Sequence, residues 1–229
     1  MKKALLILSV LLVSMSYGQE VKQIPQINVS GEGKVKVIPD EAIIAATVAT
    51  KGNNAKDVKK QNDVKIEAVL KFIKKMNLSP ADFKTQRVAL NPQYDYEKKK
   101  HSYNATQTIE ILLRDLSKYD ELMDGLVDEG INRIDNVTFQ SSKMAEYQSE
   151  ARKLAIKEAK MKAEDYVSVL KQKVGPAFTI TDNSQTYYPR PMFAAMKTME
   201  SSDMSAPRET LAAGEINITA NVTVSFILY

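Results

Sequence analysis

The sequence has 229 residues, a formal net charge of +4 and no cysteine. Hydrophobic residues make up 44% and charged residues 26%, a balance typical of a folded chain rather than a disordered one. The absence of cysteine excludes disulfides, thiol nucleophiles and cysteine-based zinc or iron–sulfur sites. The single histidine excludes a histidine-rich metal site within one chain.

The N-terminus has the three-part pattern of an export signal. Two lysines precede the apolar run 4–13, and the small residues after it favour cleavage behind Gly18. The run is too short for a membrane-spanning helix, which needs about 20 apolar residues. We therefore expect a signal peptide over 1–18 and an exported mature chain over 19–229. This chain would be periplasmic, without a transmembrane anchor, and association with the outer membrane is an open alternative.

The charge of the mature chain argues against a nucleic-acid partner. Lys2 and Lys3 belong to the signal peptide, so 30 basic residues remain against 28 acidic ones, a net charge of +2. Nucleic-acid binding favours a basic stripe with interleaved aromatic residues. The lysines and glutamates here mix on predicted helix faces, as on a solvated surface.

The first part of the mature chain predicts two strands and a helix. Apolar residues alternate around Gly31 and Gly33, and glycines within a strand suit a bend or a close backbone approach. The apolar run 42–50 predicts a buried strand. Asn53 and Asn54 can cap a helix whose lysines favour a solvated face over binding of phosphate or anionic lipid. Its apolar stripe comprises Val58, Asn62, Ile66, Val69, Ile73 and Met76.

A hairpin and a second helix follow. We expect a strand over 83–96 that is interrupted or bent near Pro92, a turn at 97–100 and a return strand over 103–113. Asp115 is the predicted cap of the second helix and Gly130 its C-terminal glycine, before a short strand that ends at Phe139. Tyr94 and Tyr96 are two positions apart on one predicted strand and so share a face. They either pack against residues of the neighbouring strand or form a stacking platform for a ligand.

A long helix is predicted over roughly 143–172, ending before Gly175-Pro176. Four alanines at four-residue spacing would let it approach a sheet or a partner closely: Ala151, Ala155, Ala159 and Ala163. A strand follows over 177–186, and the clearest alternation in the chain predicts a last strand over 216–228. The element order β-β-α-β-β-α-β-α-β-β indicates an α+β fold with antiparallel-rich sheets covered by about three helices.

The segment 187–213 is rich in proline and methionine, and a loop this long is either functional or mobile. Thioethers are soft ligands that suit Cu(I), and exposed methionine is a reversible sink for oxidants. Methionine is equally a flexible filler at adaptable contacts. We predict no metal site, and the soft-metal candidates are Met192, Met196, Met199 and Met204.

The sequence offers little for catalysis. His101, the one candidate base, lies beside lysines at the predicted hairpin tip, without a nucleophile motif. No phosphate loop, dinucleotide fingerprint or calcium loop is present. We expect no catalytic residue and no cofactor, and an enzyme with an unrecognised site is the least favoured hypothesis.

Three segments together resemble the SIMPL domain family, also known as DUF541. They are Val29-Ser30-Gly31-Glu32-Gly33 with Pro39-Asp40, the stretch from Asp82 to Tyr96, and the Pro/Met-rich loop before Gly214-Glu215-Ile216. The resemblance covers about residues 26–228. It implies an α+β fold, an exported periplasmic protein, self-assembly into rings or barrels in some members, and a link to oxidative-stress tolerance. It implies no established catalytic residues.

We therefore expect 19–229 to be a single domain of this type, non-enzymatic and homo-oligomeric, with a role in oxidative or envelope stress tolerance. The alternative is a periplasmic binding module for a soft metal or a small ligand, centred on the methionine-rich loop.

Overall fold

The computed structural model describes residues 24–97, 99–184, 211 and 213–229. The strands are β1 Gln26–Val37, β2 Glu41–Gly52, β3 Phe83–Asp95, β4 Lys100–Leu113, β5 Arg133–Gln140, β6 Val174–Asp182 and β7 Ile216–Leu228. The helices are α1 Ala55–Lys75, α2 Tyr119–Asp128 and α3 Met144–Ser168. Two single turns of 3-10 helix, Pro80–Asp82 and Leu116–Lys118, precede β3 and α2.

The strands form two antiparallel sheets, so the predicted α+β class is confirmed. A three-stranded sheet has the order β1-β7-β6, and a four-stranded sheet has the order β3-β4-β2-β5. Helix α3 packs on β1 and β7, whereas α1 packs on β2 and β4 and contacts α2. The buried side chains of both sheets belong to one hydrophobic cluster.

The predicted stripe of α1 is the face that the four-stranded sheet buries. Its residues from Val58 to Ile73 are buried, including the polar Asn62. The Asn62 amide donates to the Val48 carbonyl oxygen at 3.1 Å and lies within 3.4 Å of the Ala105 carbonyl oxygen, so it ties the helix to two strands. A buried amide with such partners avoids the cost of desolvation.

The predicted cap of α1 and the C-terminal glycine of α2 are confirmed, whereas Lys143, the residue before α3, makes no side-chain cap. The Asn54 side chain accepts hydrogen bonds from the first turn of α1, and Gly130 follows α2 with a φ of +115°. Asp115 caps the 3-10 turn that leads into α2 rather than α2 itself. The Ser141 hydroxyl accepts from the Lys143 amide just before α3.

Two predicted interruptions are wrong. Pro92 lies within β3, opposite Tyr103, and the irregularity of this strand is instead between Thr85 and Arg87. β3 is an edge strand, where a residue without an N–H is tolerated. Helix α3 ends at Ser168, so Gly175-Pro176 lie in β6, where a Cβ on Gly175 would meet the Tyr229 ring at 2.5 Å.

The three-stranded sheet and α3 approach each other through glycine and alanine. A Cβ on Gly31 would lie 2.0 Å from the Ala155 carbonyl oxygen, and one on Gly33 would lie 1.9 Å from that of Ala151. The four alanines of α3 are fully buried. Two strand residues span about 6.6 Å and four helix residues about 6 Å, so glycines two apart match alanines four apart. The close approach predicted from both patterns is therefore a single interface.

Replacing Gly31 with alanine should destabilise the protein, because the added methyl group meets helix backbone that cannot rotate away. We expect a loss of about 1–3 kcal/mol or more in the free energy of unfolding, measured by denaturant titration. The control is Lys34→Ala, on the exposed face of the same strand. Adding Ala155→Gly should not restore stability, since the obstructing atoms are main-chain atoms. Equal stability of Gly31→Ala and the wild type would contradict this packing.

Candidate functional site

The outer edge of β1 is occupied by side chains of α3. The Glu158 carboxylate accepts a hydrogen bond from the Glu32 amide, and the Lys162 ammonium donates to the Ser30 carbonyl oxygen at 3.1 Å. The two side chains also pair with each other at 3.2 Å. An edge strand without such contacts presents unpaired backbone groups to another strand. The Glu158–Lys162 pair therefore blocks strand addition at β1.

The electrostatics of this contact favour the charged carboxylate. The Glu32 N–H, followed by Lys162, lowers the pKa of Glu158 below its ordinary value. Glu158 therefore remains ionised at neutral pH, and the contact with β1 is charge-assisted.

The opposite edge of the same sheet is very different. β6 is exposed from Pro176 to Asp182, and the side chains of Phe178 and Ile180 are 56% and 54% exposed. Ile180 lies opposite Val224, which α3 buries, so its side chain is on the helix face of the sheet. Because α3 lies mainly over β1 and β7, that face is largely uncovered at β6.

A second exposed apolar stripe follows the edge strand β3. Its members alternate along the strand and comprise Val88, Leu90 and Tyr94, which are 69%, 41% and 42% exposed. Tyr94 lies opposite His101, with the ring centroids 4.8 Å apart. The cross-strand contact expected of Tyr94 is thus present. Tyr96 lies beyond the end of β3, in the turn, with its ring edge-on to Tyr94 at 5.0 Å.

Buried carboxylates lie at one end of the four-stranded sheet. Arg114 donates from Nε and Nη2 to the Asp82 carboxylate, at 2.8–3.1 Å, and from Nη1 to Glu41 at 3.1 Å. Gln140 donates to the second oxygen of Glu41 at 3.0 Å. These contacts join the ends of all four strands, and Asp82 raises the pKa of Arg114 above its ordinary value. Their arrangement serves to hold the sheet together.

A third carboxylate, Asp135, lies at the bulge of β5. It accepts hydrogen bonds from the buried Thr47 hydroxyl and from Arg133 Nε, the latter at 2.6 Å. The bond from Thr47 is the main reason that the pKa of Asp135 is lowered. An ionised carboxylate with these donors has no proton to give, so it is a poor general acid.

The cavity beside Asp82 and Gln140 suits a structural role better than ligand binding. Its volume is about 210 Å³, below the roughly 300–1,000 Å³ usual for ligand sites. Of the acidic groups that line it, Asp82 is paired with Arg114, and Glu110 with Lys84 at 2.8 Å. In the described ranges, no three histidine or acidic side chains gather as metal ligands, and no helix is long and apolar enough to cross a membrane.

The residues singled out from the sequence do not come together in one site. Met192, Met196, Met199 and Met204 lie outside the described residues, so the soft-metal hypothesis stays a prediction. His101 is exposed at the start of β4, against Tyr94.

Sequence reasoning missed the pair Glu158 and Lys162 and the exposed Phe178 and Ile180. The four-residue spacing of Glu158 and Lys162 resembled an ordinary helix-surface ion pair. Only its position beside the alanine stripe, once that stripe is placed on β1, indicates a contact with the strand edge.

The contact of Glu158 with β1 predicts a pH-dependent contribution to stability. The pKa is depressed in the folded state, so the stabilisation is present above the ordinary value of 4.5 and is lost as the pH falls through the folded-state pKa. Glu158→Gln should lower stability at pH 7 by up to about 1 kcal/mol, and the difference should vanish in acid. Thermal unfolding between pH 3 and pH 7 measures it.

The matched control is Glu164→Gln on the same helix, where the carboxylate pairs with Lys160 at 3.7 Å. This change should have a smaller effect at pH 7. A difference between Glu158→Gln and the wild type that is the same at pH 3 and pH 7 would contradict the assignment.

Comparisons with known proteins agree with the fold. The family model described as SIMPL, a protein of unknown function (DUF541), matches residues 27–226. The uncharacterised protein YggE of Escherichia coli K12 is 30% identical over 207 residues, covering 89% of this chain and 83% of the relative.

More distant relatives also align over nearly the whole length. YggE of Edwardsiella ictaluri is 26% identical over 213 residues, covering 91% of this chain and 89% of the relative. The 26 kDa periplasmic immunogenic protein of Brucella melitensis is 26% identical over 219 residues, covering 91% and 86%. With its two helix-covered sheets and a family match that spans nearly all of them, this chain belongs to the SIMPL (DUF541) family.

Proposed function

We propose that the mature chain 19–229 is a single-domain, non-enzymatic protein of the bacterial envelope that assembles into a homo-oligomer. Export is supported by the signal pattern over 1–18 and by the printed name of the Brucella relative, which calls that protein periplasmic. The names of these relatives indicate no enzymatic reaction.

Self-assembly is supported above all by the exposed apolar edge strand β6. Natural proteins usually shield such an edge with charges, a bulge or a covering element, because it otherwise attracts other strands. The register irregularities of β6 lie before Thr179, so 179–181 form a regular edge without such a device. At β1 the same sheet is shielded by Glu158 and Lys162. The contrast between the two edges of one sheet supports the proposal that β6 makes a protein contact.

A non-catalytic role is supported by the state of the buried polar groups. The carboxylates of Glu41 and Asp82 both pair with Arg114, and that of Asp135 accepts hydrogen bonds from Thr47 and Arg133. Catalytic acids and bases instead need groups poised to exchange a proton with a substrate. The described polar clusters hold strands together.

The physiological role that we propose is protection of the envelope under oxidative or envelope stress. A chain without cysteine has no thiol that an oxidant could attack. The stress role otherwise follows from the family resemblance and depends on the assembled state.

Light scattering after size exclusion should give the mature wild-type protein a discrete mass above that of the monomer. Ile180→Lys should shift the mass toward the monomer, because an ammonium group would be buried in the contact. Val64→Lys is the matched control, since Val64 is 61% exposed on α1, away from β6. It should leave the assembly unchanged.

A wild-type protein that remains monomeric at all concentrations would contradict the proposed self-assembly. If assembly supports stress tolerance, a strain that lacks the protein should survive peroxide or envelope stress better with the Val64→Lys form than with the Ile180→Lys form. Equal survival would separate the stress role from assembly.

A further inference from the structure

Strand pairing determines which backbone groups of β6 point away from the sheet. The Asn183 amide donates to the Asn221 carbonyl oxygen at 2.8 Å, so this pair faces inward. In an antiparallel ladder, inward and outward residues alternate. The register Thr181↔Thr223 and Ile180↔Val224 therefore directs the N–H and C=O of Ile180 outward.

The hydrogen bonds at the opposite edge, β1, follow the same alternation and give the same assignment of inward and outward residues. Ser30 and Glu32 use their outward groups to bind Lys162 and Glu158, so the intervening Gly31 faces inward to Val222. β7 thus bonds β1 through its even-numbered residues and β6 through its odd-numbered residues. Ile180 is therefore a hydrogen-bonding position that, among the described strands, has no partner.

The sequence around Ile180 is suited to pair with itself. Residues 176–181 carry no charged side chain, so two copies can lie antiparallel without like charges in opposition. The register irregularities of β6 lie before Thr179, which leaves 179–182 as its regular part. Pairing through identical patches is also the commonest form of symmetric association.

From this placement we propose that a second copy of the chain adds to β6 antiparallel, about a two-fold axis at Ile180, joining two three-stranded sheets into a six-stranded sheet. The two Ile180 residues exchange both backbone hydrogen bonds, and Thr179 of each copy lies opposite Thr181 of the other. The proposal rests on the self-assembly proposed above and names its partner and register.

The position of α3 determines which edge of the sheet is available to the second copy. The helix makes little contact with β6, so the exposed Ile180 side chains of both copies can pack on that face. At β1 the Glu158–Lys162 pair occupies the Glu32 N–H and the Ser30 C=O, two of the groups that a second strand would need. Addition at this sheet therefore occurs at one edge and closes after two copies.

The absence of cysteine makes this register directly measurable, because an introduced cysteine is the only thiol. In a hydrogen-bonded antiparallel pair the Cα atoms lie about 5.5 Å apart, within disulfide range. Mild oxidation of the Ile180→Cys protein should therefore give a disulfide-linked dimer on a non-reducing gel. Asp182→Cys should not, because its counterpart would lie about 14 Å away along the strands.

A mixing experiment keeps the register testable if Ile180→Cys does not fold. Thr179→Cys and Thr181→Cys proteins, mixed in equal amounts, should form a mixed disulfide faster than either forms a dimer alone. Glu32→Cys is the control at the edge that α3 occupies, and it should remain monomeric under oxidation.

The outcomes separate this proposal from the self-assembly itself. An oligomer by light scattering that cross-links at Asp182→Cys or at Leu90→Cys in β3, but not at Ile180→Cys, would overturn the β6 register and leave self-assembly standing. The same holds for an oligomer that cross-links at none of these positions. A monomer at every concentration would overturn both proposals.

Discussion

The backbone of α3 lies so close to β1 that no side chain fits between them. Gly31 and Gly33 make this approach possible, because a Cβ at either position would meet the helix main chain at about 2 Å. Alanine is the matching choice on the helix, where Ala151 and Ala155 are fully buried. The contact fixes both the height and the lateral position of α3 over the three-stranded sheet.

The position of α3 makes the two edges of that sheet unequal. Above β1 the helix is near enough for Glu158 and Lys162 to occupy the outward backbone groups of Glu32 and Ser30. The helix makes little contact with β6, so Ile180 keeps an exposed side chain on the helix face. The close packing of α3 on β1 thus shields the β1 edge and leaves the β6 edge exposed. The proposed assembly depends on this difference.

The local patterns predicted the order of strands and helices because each element carries its own periodicity or cap. They failed where a residue serves a distant contact. Pro92 predicted a break in a strand, and Gly175 predicted the end of a helix. Pro92 is instead tolerated in an edge strand, and Gly175 makes room for the Tyr229 ring. The roles of surface residues are harder to predict from the sequence. Those of Glu158 and Ile180 depend on where α3 lies relative to β1 and β6, and no local pattern contains that information.

Amide hydrogen exchange of the mature protein, compared at concentrations above and below assembly, tests the inequality of the two edges most directly. The Glu32 amide should exchange slowly at both concentrations, because Glu158 of the same chain binds it. The Ile180 amide should exchange slowly only in the assembled state. An Ile180 amide that exchanges equally fast at both concentrations, or a Glu32 amide as fast as an unpaired edge amide, would contradict the account.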